Sequence, residues 1–444
     1  MALWRRQAGD PTNGAAGLER LLAGLDRDQH EAATAPPGPL LVVAGAGAGK
    51  TRILIARAAF AVERTGIAPQ GILAIAFTNK ACGEIAARLR ALLRDRGTGI
   101  EVRTFHSAAW RLVVRPYSEL LGRFAEASIL NHADSVRLAR QAIAELAAEP
   151  GGRRYRGLEP RETYGRIAYA KAHLQRPGDV ERDGAPGPLL AAVWRRYSRL
   201  ARAASAFDFE DMLAAACHLL AEDETIRSGL HNRFGLLLLD EFQDASPAQR
   251  RLVELIAGVG GNLTVAGDIS QAIYSFRGGD AAGLLRFAET HPGTRTVLLH
   301  RNYRSRPEIM RAARGLANWD LGLRPRSARR RGGRVDVATY RDEETEAAAV
   351  FESLCAYASR GRAEEVVVLS RVERNLALVE DHLVGAGLRY RVLGGQRALE
   401  RCELQAALAY LRLTHNPRPR RIGGSCGGAA RGRGGGAAAP SGPL

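Results

Sequence analysis

The chain has 444 residues, 46% of them hydrophobic, and a formal net charge of +17, so it is long enough for two or three domains with real cores. No apolar run reaches the length of a membrane span, Met1-Ala-Leu-Trp-Arg-Arg6 lacks the apolar stretch of a secretory signal, and five scattered cysteines without CxxC spacing argue against a disulfide framework or cysteine metal site. The expected setting is the reducing cytoplasm, and the basic excess suits a polyanionic partner, although the Arg, Ala and Gly bias of a GC-rich coding sequence supplies charge without function.

In chain order, apolar runs at Leu40–Ala44, Ile72–Phe77 and Glu101–Phe105 predict strands, alternating with helices that start near Gly49 and Asn79. This βαβ rhythm predicts a parallel sheet. From Ser107 to about Arg202 the pattern is wholly helical, broken at Pro150-Gly-Gly, Pro177-Gly and Pro186-Gly-Pro188, so a helical insertion interrupts the α/β domain. Strands return at Leu236–Leu239, Leu263–Ala266 and Thr296–Leu299, and a second α/β set is expected at Val335–Thr339, Val366–Ser370 and Arg389–Leu393, followed by a helix over Leu404–Leu413. Six arginines between Arg324 and Arg334 fit either a phosphate-facing loop or a solvated linker. After Pro417 the chain turns into an Arg/Gly-rich tail with too few apolar residues for a core, and residues 418–444 are expected to be disordered.

Only three lysines occur, and Lys50 stands in Leu41-Val-Val-Ala-Gly-Ala-Gly-Ala-Gly-Lys-Thr-Arg52. A strand running into small residues and then a helix lets consecutive backbone N–H groups and the positive helix end wrap a phosphate. Lys50 would reach the β- and γ-phosphates and Thr51 would hold Mg²⁺. Ala44 stands where the strict pattern has glycine. A second signature is Leu236-Leu-Leu-Leu-Asp-Glu-Phe-Gln-Asp244, a buried strand delivering Asp240 towards the metal. Glu241 is placed to orient or deprotonate water, and Gln243 to report on the γ-phosphate. Together the two signatures supply both halves of a Mg-NTP site.

With these motifs in hand the chain resembles the UvrD/Rep/PcrA family of superfamily 1 DNA helicases, collinearly from about Leu25 to Pro417. The resemblance implies an α/β P-loop fold of RecA-like type: a motor domain from residues 1–110 and 205–297, a helical insertion at 111–204 and an incomplete second RecA-like domain at 298–417. It implies that Gln29 reads adenine, that Ala46, Gly47, Ala48, Gly49, Lys50, Thr51 and Arg52 cradle the phosphates of ATP, and that Tyr303 stacks on the base. Thr51 and Asp240 would hold Mg²⁺, and Lys50, Asp240, Glu241, Gln271 and Arg304 would carry catalysis, Gln271 as γ-phosphate sensor and Arg304 from the second domain. Phe77, Thr78 and Asn79 in Ala76-Phe-Thr-Asn-Lys-Ala81, Phe105 and His106 in Thr104-Phe-His-Ser107, and Tyr274 and Phe276 are the implied DNA contacts, the last two by stacking on unpaired bases. Phe207-Asp-Phe-Glu-Asp211 matches a family motif whose role is expected to be largely structural.

The implied activity is ATP-dependent translocation on single-stranded DNA, 3′ to 5′, in repair or replication, with single-stranded and duplex DNA as partners, repair proteins as candidate partners, and no membrane. No match to motifs V and VI follows Pro417, so the tail is expected to be a frameshifted or truncated reading and the chain to bind Mg-ATP weakly and unwind little. A second reading, a non-motor ATP- and DNA-binding fragment, predicts salt-sensitive single-strand binding indifferent to Lys50→Ala. A small-molecule P-loop kinase leaves the settings of Gln29, Phe77, Tyr274 and Tyr303 unexplained.

Overall fold

The computed structural model describes residues 14–122, 127–182, 186–274, 279–316 and 323–393, together with Leu404. Among them, six strands form one parallel sheet in the order β3-β2-β6-β7-β1-β8: β1 Leu40–Ala44, β2 Ile72–Ile75, β3 Glu101–Arg103, β6 Leu236–Leu239, β7 Leu263–Gly267 and β8 Arg295–Leu299. Strands β1, β2, β6 and β7 are buried throughout, which explains the unbroken apolar sequences of β1, β2 and β6, while β7 buries one polar residue, Thr264: helices cover both faces of a parallel sheet. Alternate residues feed different cores. Leu41, Val43, Leu237 and Leu239 join one cluster, while Leu40, Val42, Leu236 and Leu238 join the other.

The second face carries α1 Gly14–Ala23, α2 Arg27–Thr34, α3 Lys50–Arg64 and α4 Asn79–Leu93, with Ile53, Ile55, Ile85 and Leu89 buried. Because all six strands run the same way, their C-terminal ends emerge along one edge, the usual place for a ligand in such a sheet. The segments after β1, β2, β3, β6, β7 and β8 all leave from that edge.

The expected insertion is helical but begins with a π-helical turn at Ala109–Val114, where Arg115 N donates to Trp110 O at 2.8 Å. Helices α5 His132–Ala148, α6 Pro160–Ala172 and α7 Gly187–Ala203 enclose their own core around Tyr164, Ile167, Trp194 and Tyr197. Two short parallel strands, β4 Ser128–Ile129 and β5 Ala206–Phe207, join the outgoing and returning chain. Next to them Lys171 Nζ lies 2.7 Å from Asp208 Oδ2 and 2.8 Å from Asp211 Oδ1, and the Tyr197 hydroxyl donates to Asp208 Oδ2 at 2.7 Å. Asp208 also caps α8 Phe209–Glu222, so one buried carboxylate ties the insertion to the sheet domain. Helix α9 Pro247–Ala257 follows the acid loop, Asp240–Asp244 after β6, and lies on the same face of the sheet as α8.

The chain divides into two compact units at Gly333. Residues 298–333, assigned above to a second motor domain, belong to the first unit, where β9 Arg301–Asn302 pairs with β10 Arg326–Ser327. In the second unit α10 Glu343–Ala358 packs on α11 Ala377–Gly385, with the Phe351 and His382 rings stacked at 5.3 Å. The strands expected at Val335–Thr339, Val366–Ser370 and Arg389–Leu393 are corrected: none pairs with another strand among the described residues. An apolar alternating run becomes a strand only when a neighbour takes up its backbone N–H and C=O groups, and here Val337 and Leu369 are 92% and 88% exposed. The expected helix over Leu404–Leu413, apart from Leu404, and the tail 418–444 lie outside the described residues.

Candidate nucleotide and DNA site

The loop after β1 turns on Gly47 and Gly49, both with positive φ (71° and 92°), a conformation that favours glycine. A Cβ on Gly49 would sit 2.9 Å from Gln29 Nε2, and one on Gly47 would sit 2.6 Å from Arg304 Cβ. The loop is therefore clasped from two sides. Gln29, buried and locked in a capping box with Asp26, donates from Nε2 to Ala48 O at 2.8 Å. On the other side Asn302 donates from Nδ2 to Ala46 O and accepts at Oδ1 from the backbone N–H groups of Arg304 (2.9 Å) and Ser305 (2.7 Å). Tyr303 N donates to Gly47 O at 2.9 Å, and the Tyr303 hydroxyl donates to Asp26.

Lys50 is buried at the start of α3, its Nζ 3.3 Å from Glu241 Oε2. The Thr51 hydroxyl donates to Asp240 Oδ2 at 2.8 Å. Burial, reinforced by the neighbouring Glu241 charge, lifts the Asp240 carboxyl to about 6 in spite of Lys50 and Thr51. Such a carboxylate gains from a cation, and a hydroxyl beside a carboxylate is the hard oxygen donor set that Mg²⁺ accepts. Arg52 Nε is buried without a hydrogen-bond partner; burial lowers its pKa against the pull of Tyr303 and Asp26. An unpaired donor beside the phosphate loop fits a nucleotide. Glu241 has φ 55°, a left-handed backbone uncommon for a residue with a side chain and typical of functional turns.

A continuous polar path leaves this corner. Gln243 donates to Glu241 Oε2 at 2.9 Å and accepts from Asp268 N at 2.9 Å, and Gln271 donates to Asp268 Oδ2 at 2.5 Å. Beyond it, Phe77 and Tyr274 stack on each other at 4.8 Å with 21° between planes. Thr78 caps α4 through Ala81 N at 3.1 Å, and Asn79 is exposed beside it. Phe105 is corrected as a DNA candidate: at the start of the short helix that Thr104 caps, it is 2% exposed and packs in the core, which leaves no ring face for a base. Phe276 lies outside the described residues.

His106 packs edge-on to Phe209, and burial pulls its pKa from 6.5 to about 4, opposed by Asp208. Its Nε2 is buried without a partner. Because the folded value is depressed, the unfolded chain takes up the proton first; stability is intact above about pH 6.5 and lost as pH falls towards 4. His106→Asn is expected to flatten that part of the acid limb, read from urea midpoints across this range; an unchanged slope would exclude His106 as its source.

Three supporting residues give little signal in the sequence: Asn302, Lys171 and Arg57. Arg57 is 3% exposed, burial lowers it to about 10, and its guanidinium bonds Thr264 Oγ1 (2.6 Å), Ala35 O (2.8 Å) and Ala32 O (3.4 Å). It thus fastens the C-terminal end of the Gln29 helix to α3 and β7. Arg57→Met is expected to leave those acceptors unpaired, costing about 1–3 kcal/mol, and to weaken ATP binding more than tripolyphosphate binding; equal losses would show that Gln29 is unaffected.

A six-stranded parallel sheet with this loop, lysine and acid at its C-terminal edge defines the P-loop nucleotide-binding class, in its RecA-like form. Among the described residues no helix is long and apolar enough to cross a membrane. The profile of the UvrD/REP helicase N-terminal domain matches residues 25–292, and that of the UvrD-like helicase C-terminal domain matches residues 297–422. The chain belongs to the UvrD/REP helicase family. It is similar to the ATP-dependent DNA helicase PcrA of Bacillus subtilis, 32% identical over 405 residues, which is 90% of this chain and 54% of that protein. PcrA of Staphylococcus epidermidis is 30% identical and that of Staphylococcus aureus 29%, over 90% of this chain and 55% of each relative. The chain spans about half the length of these curated relatives.

Proposed function

We propose that the chain is the ATP-binding motor portion of an ATP-dependent DNA helicase that moves 3′ to 5′ along single-stranded DNA in repair or replication. The observation that carries this reading is the polar path from Lys50 through Glu241, Gln243 and Asp268 to Gln271, on the same segment as Tyr274 of the stacked Phe77–Tyr274 pair. In this reading residues 1–110 and 205–297 form the ATP-binding motor domain, 111–204 its helical insertion and 298–417 the start of the second motor domain. Lys50 and the loop N–H groups hold the phosphates, Thr51 and Asp240 hold Mg²⁺, Gln29 and Tyr303 hold the base, and Arg304 neutralises charge on the transferring phosphoryl group. Bound Mg²⁺ would supply charge neutralisation between phosphates. Glu241, ion-paired with Lys50, orients water and accepts its proton, while Gln243 and Gln271 relay the state of the phosphate site. Phe77, Thr78, Asn79 and Tyr274 engage the strand.

The test is paired binding. A fluorescent ATP analogue with Mg²⁺ is expected to bind the chain and to lose affinity in Lys50→Ala, while labelled oligo(dT) binds with salt sensitivity and survives that substitution. Absence of both interactions would sink the reading. A cytoplasmic setting and DNA-repair partners accompany it. The direction predicts unwinding of duplexes with 3′ tails over those with 5′ tails, and the reverse preference would remove the direction alone.

A further inference from the structure

Arg250 lies on α9, just behind the acid loop, and neither the nucleotide nor the DNA assignments use it. Its guanidinium donates to Asp280 Oδ2 at 2.7 Å, to Asp280 O at 2.9 Å and to Ala245 O at 3.5 Å. Asp280 N in turn donates to Ala245 O at 3.4 Å, and Gly279 N donates to Tyr274 O at 3.0 Å. On the other side of Tyr274, Ile273 N donates to Asp244 Oδ1 at 3.3 Å. Both backbone neighbourhoods of the DNA-facing tyrosine are therefore fastened to residues 244 and 245, which directly follow Asp240, Glu241 and Gln243. The ion pair is partly buried, 13% exposed at Arg250 and 27% at Asp280, so solvent screens it less than a surface pair. Gly283 packs against the same guanidinium: a Cβ there would fall 1.9 Å from Arg250 Nη1.

We propose that Arg250 is a positioning residue that locks Tyr274, through Gly279 and Asp280, to the acid loop, so that nucleotide binding and single-strand binding alter one another's affinity through it. Rearrangement of Asp240–Gln243 around a nucleotide moves residues 244 and 245, and the Arg250–Asp280 latch carries that movement to Tyr274 and its stack on Phe77. Coupling of this kind is reciprocal, so it can be read from either ligand. The inference rests on the proposed function.

The experiment measures the Kd of labelled oligo(dT) with and without a non-hydrolysable Mg-ATP analogue, for the parent chain, Arg250→Met, Gly283→Ala and the double variant, with thermal melts alongside. The parent is expected to show a ratio of the two Kd values several-fold away from one. In Arg250→Met the ratio collapses towards one while affinity for the analogue alone stays within about twofold. Gly283→Ala lies in a helix and displaces only the flexible end of the Arg250 side chain; it is expected to reproduce the collapse and to add nothing in the double variant. A parental ratio retained in folded Arg250→Met overturns the proposal, as does additivity of the two substitutions. If Arg250→Met fails to fold, Gly283→Ala decides alone, and an unchanged ratio there overturns the proposal. A parent that binds both ligands with no mutual effect overturns this inference and leaves the proposed function standing, whereas a parent that binds neither ligand removes both.

Discussion

Lys171→Met is expected to destabilise the fold by about 3–5 kcal/mol, the typical cost of leaving a buried ion-pair partner without its counter-charge. Lys171 is 2% exposed and Asp208 is 0% exposed. Burial by itself favours the neutral form of each, but the Lys171 ammonium and the Tyr197 hydroxyl hold the Asp208 carboxyl below the ordinary range, and the two aspartates hold Lys171 above its own. Methionine replaces the stem of the lysine and none of its charge. The measurement is the urea midpoint at neutral pH, compared with Lys171→Met/Asp208→Asn. The double variant is expected to recover part of the loss, because the amide carries no uncompensated charge. A single variant within about 1 kcal/mol of the parent would show that water reaches Asp208 and that the network is not the joint described above.

Lys50→Ala is expected to weaken Mg-ATP binding by roughly ten- to a hundredfold, the equivalent of losing one charged hydrogen-bond partner of about 1.5–3 kcal/mol. The fold should hardly notice. Lys50 pairs with Glu241, whose side chain is 37% exposed and can be solvated when its partner is removed. Thermal midpoints without nucleotide should therefore coincide, while the rise in midpoint on adding Mg-ATP shrinks in the variant. A variant that melts early without nucleotide would assign Lys50 a structural task and weaken its assignment to the phosphates.

The buried strands of the sheet and the phosphate loop are legible in the sequence for a simple reason: a strand buried on both faces is apolar except where a partner takes up a polar group, as Arg57 does for Thr264 in β7, and a loop around phosphate must be small and followed by a helix. Strand ends were less legible. Phe77 and Phe105 read as strand residues, yet Thr78 and Thr104 each begin a helix through their side chains and end the strand early. The three segments of the second unit carry strand-like alternation, but pairing is a property of neighbours and not of the segment. The burial of Phe105 gives no sequence signal, because a phenylalanine beside a histidine looks the same whether it faces a base or a core. Asn302, Lys171 and Arg57 stayed hidden because their work is to bond atoms distant in sequence, Ala46 O, Asp208 and Ala35 O, and no local spacing announces such bonds.

The paired strands at the root of the helical insertion have a kinetic consequence. Strands β2 and β6 are neighbours in the sheet, yet the whole insertion lies between them along the chain. Forming that contact in an unfolded chain requires closing a very long loop, which raises contact order and slows folding. Once α5, α6 and α7 have packed and β4 has met β5, the outgoing and returning chain already run side by side, and the remaining closure resembles that of a short connection. The insertion is thus suited to fold early and act as a splint, bringing the two halves of the sheet within reach of each other.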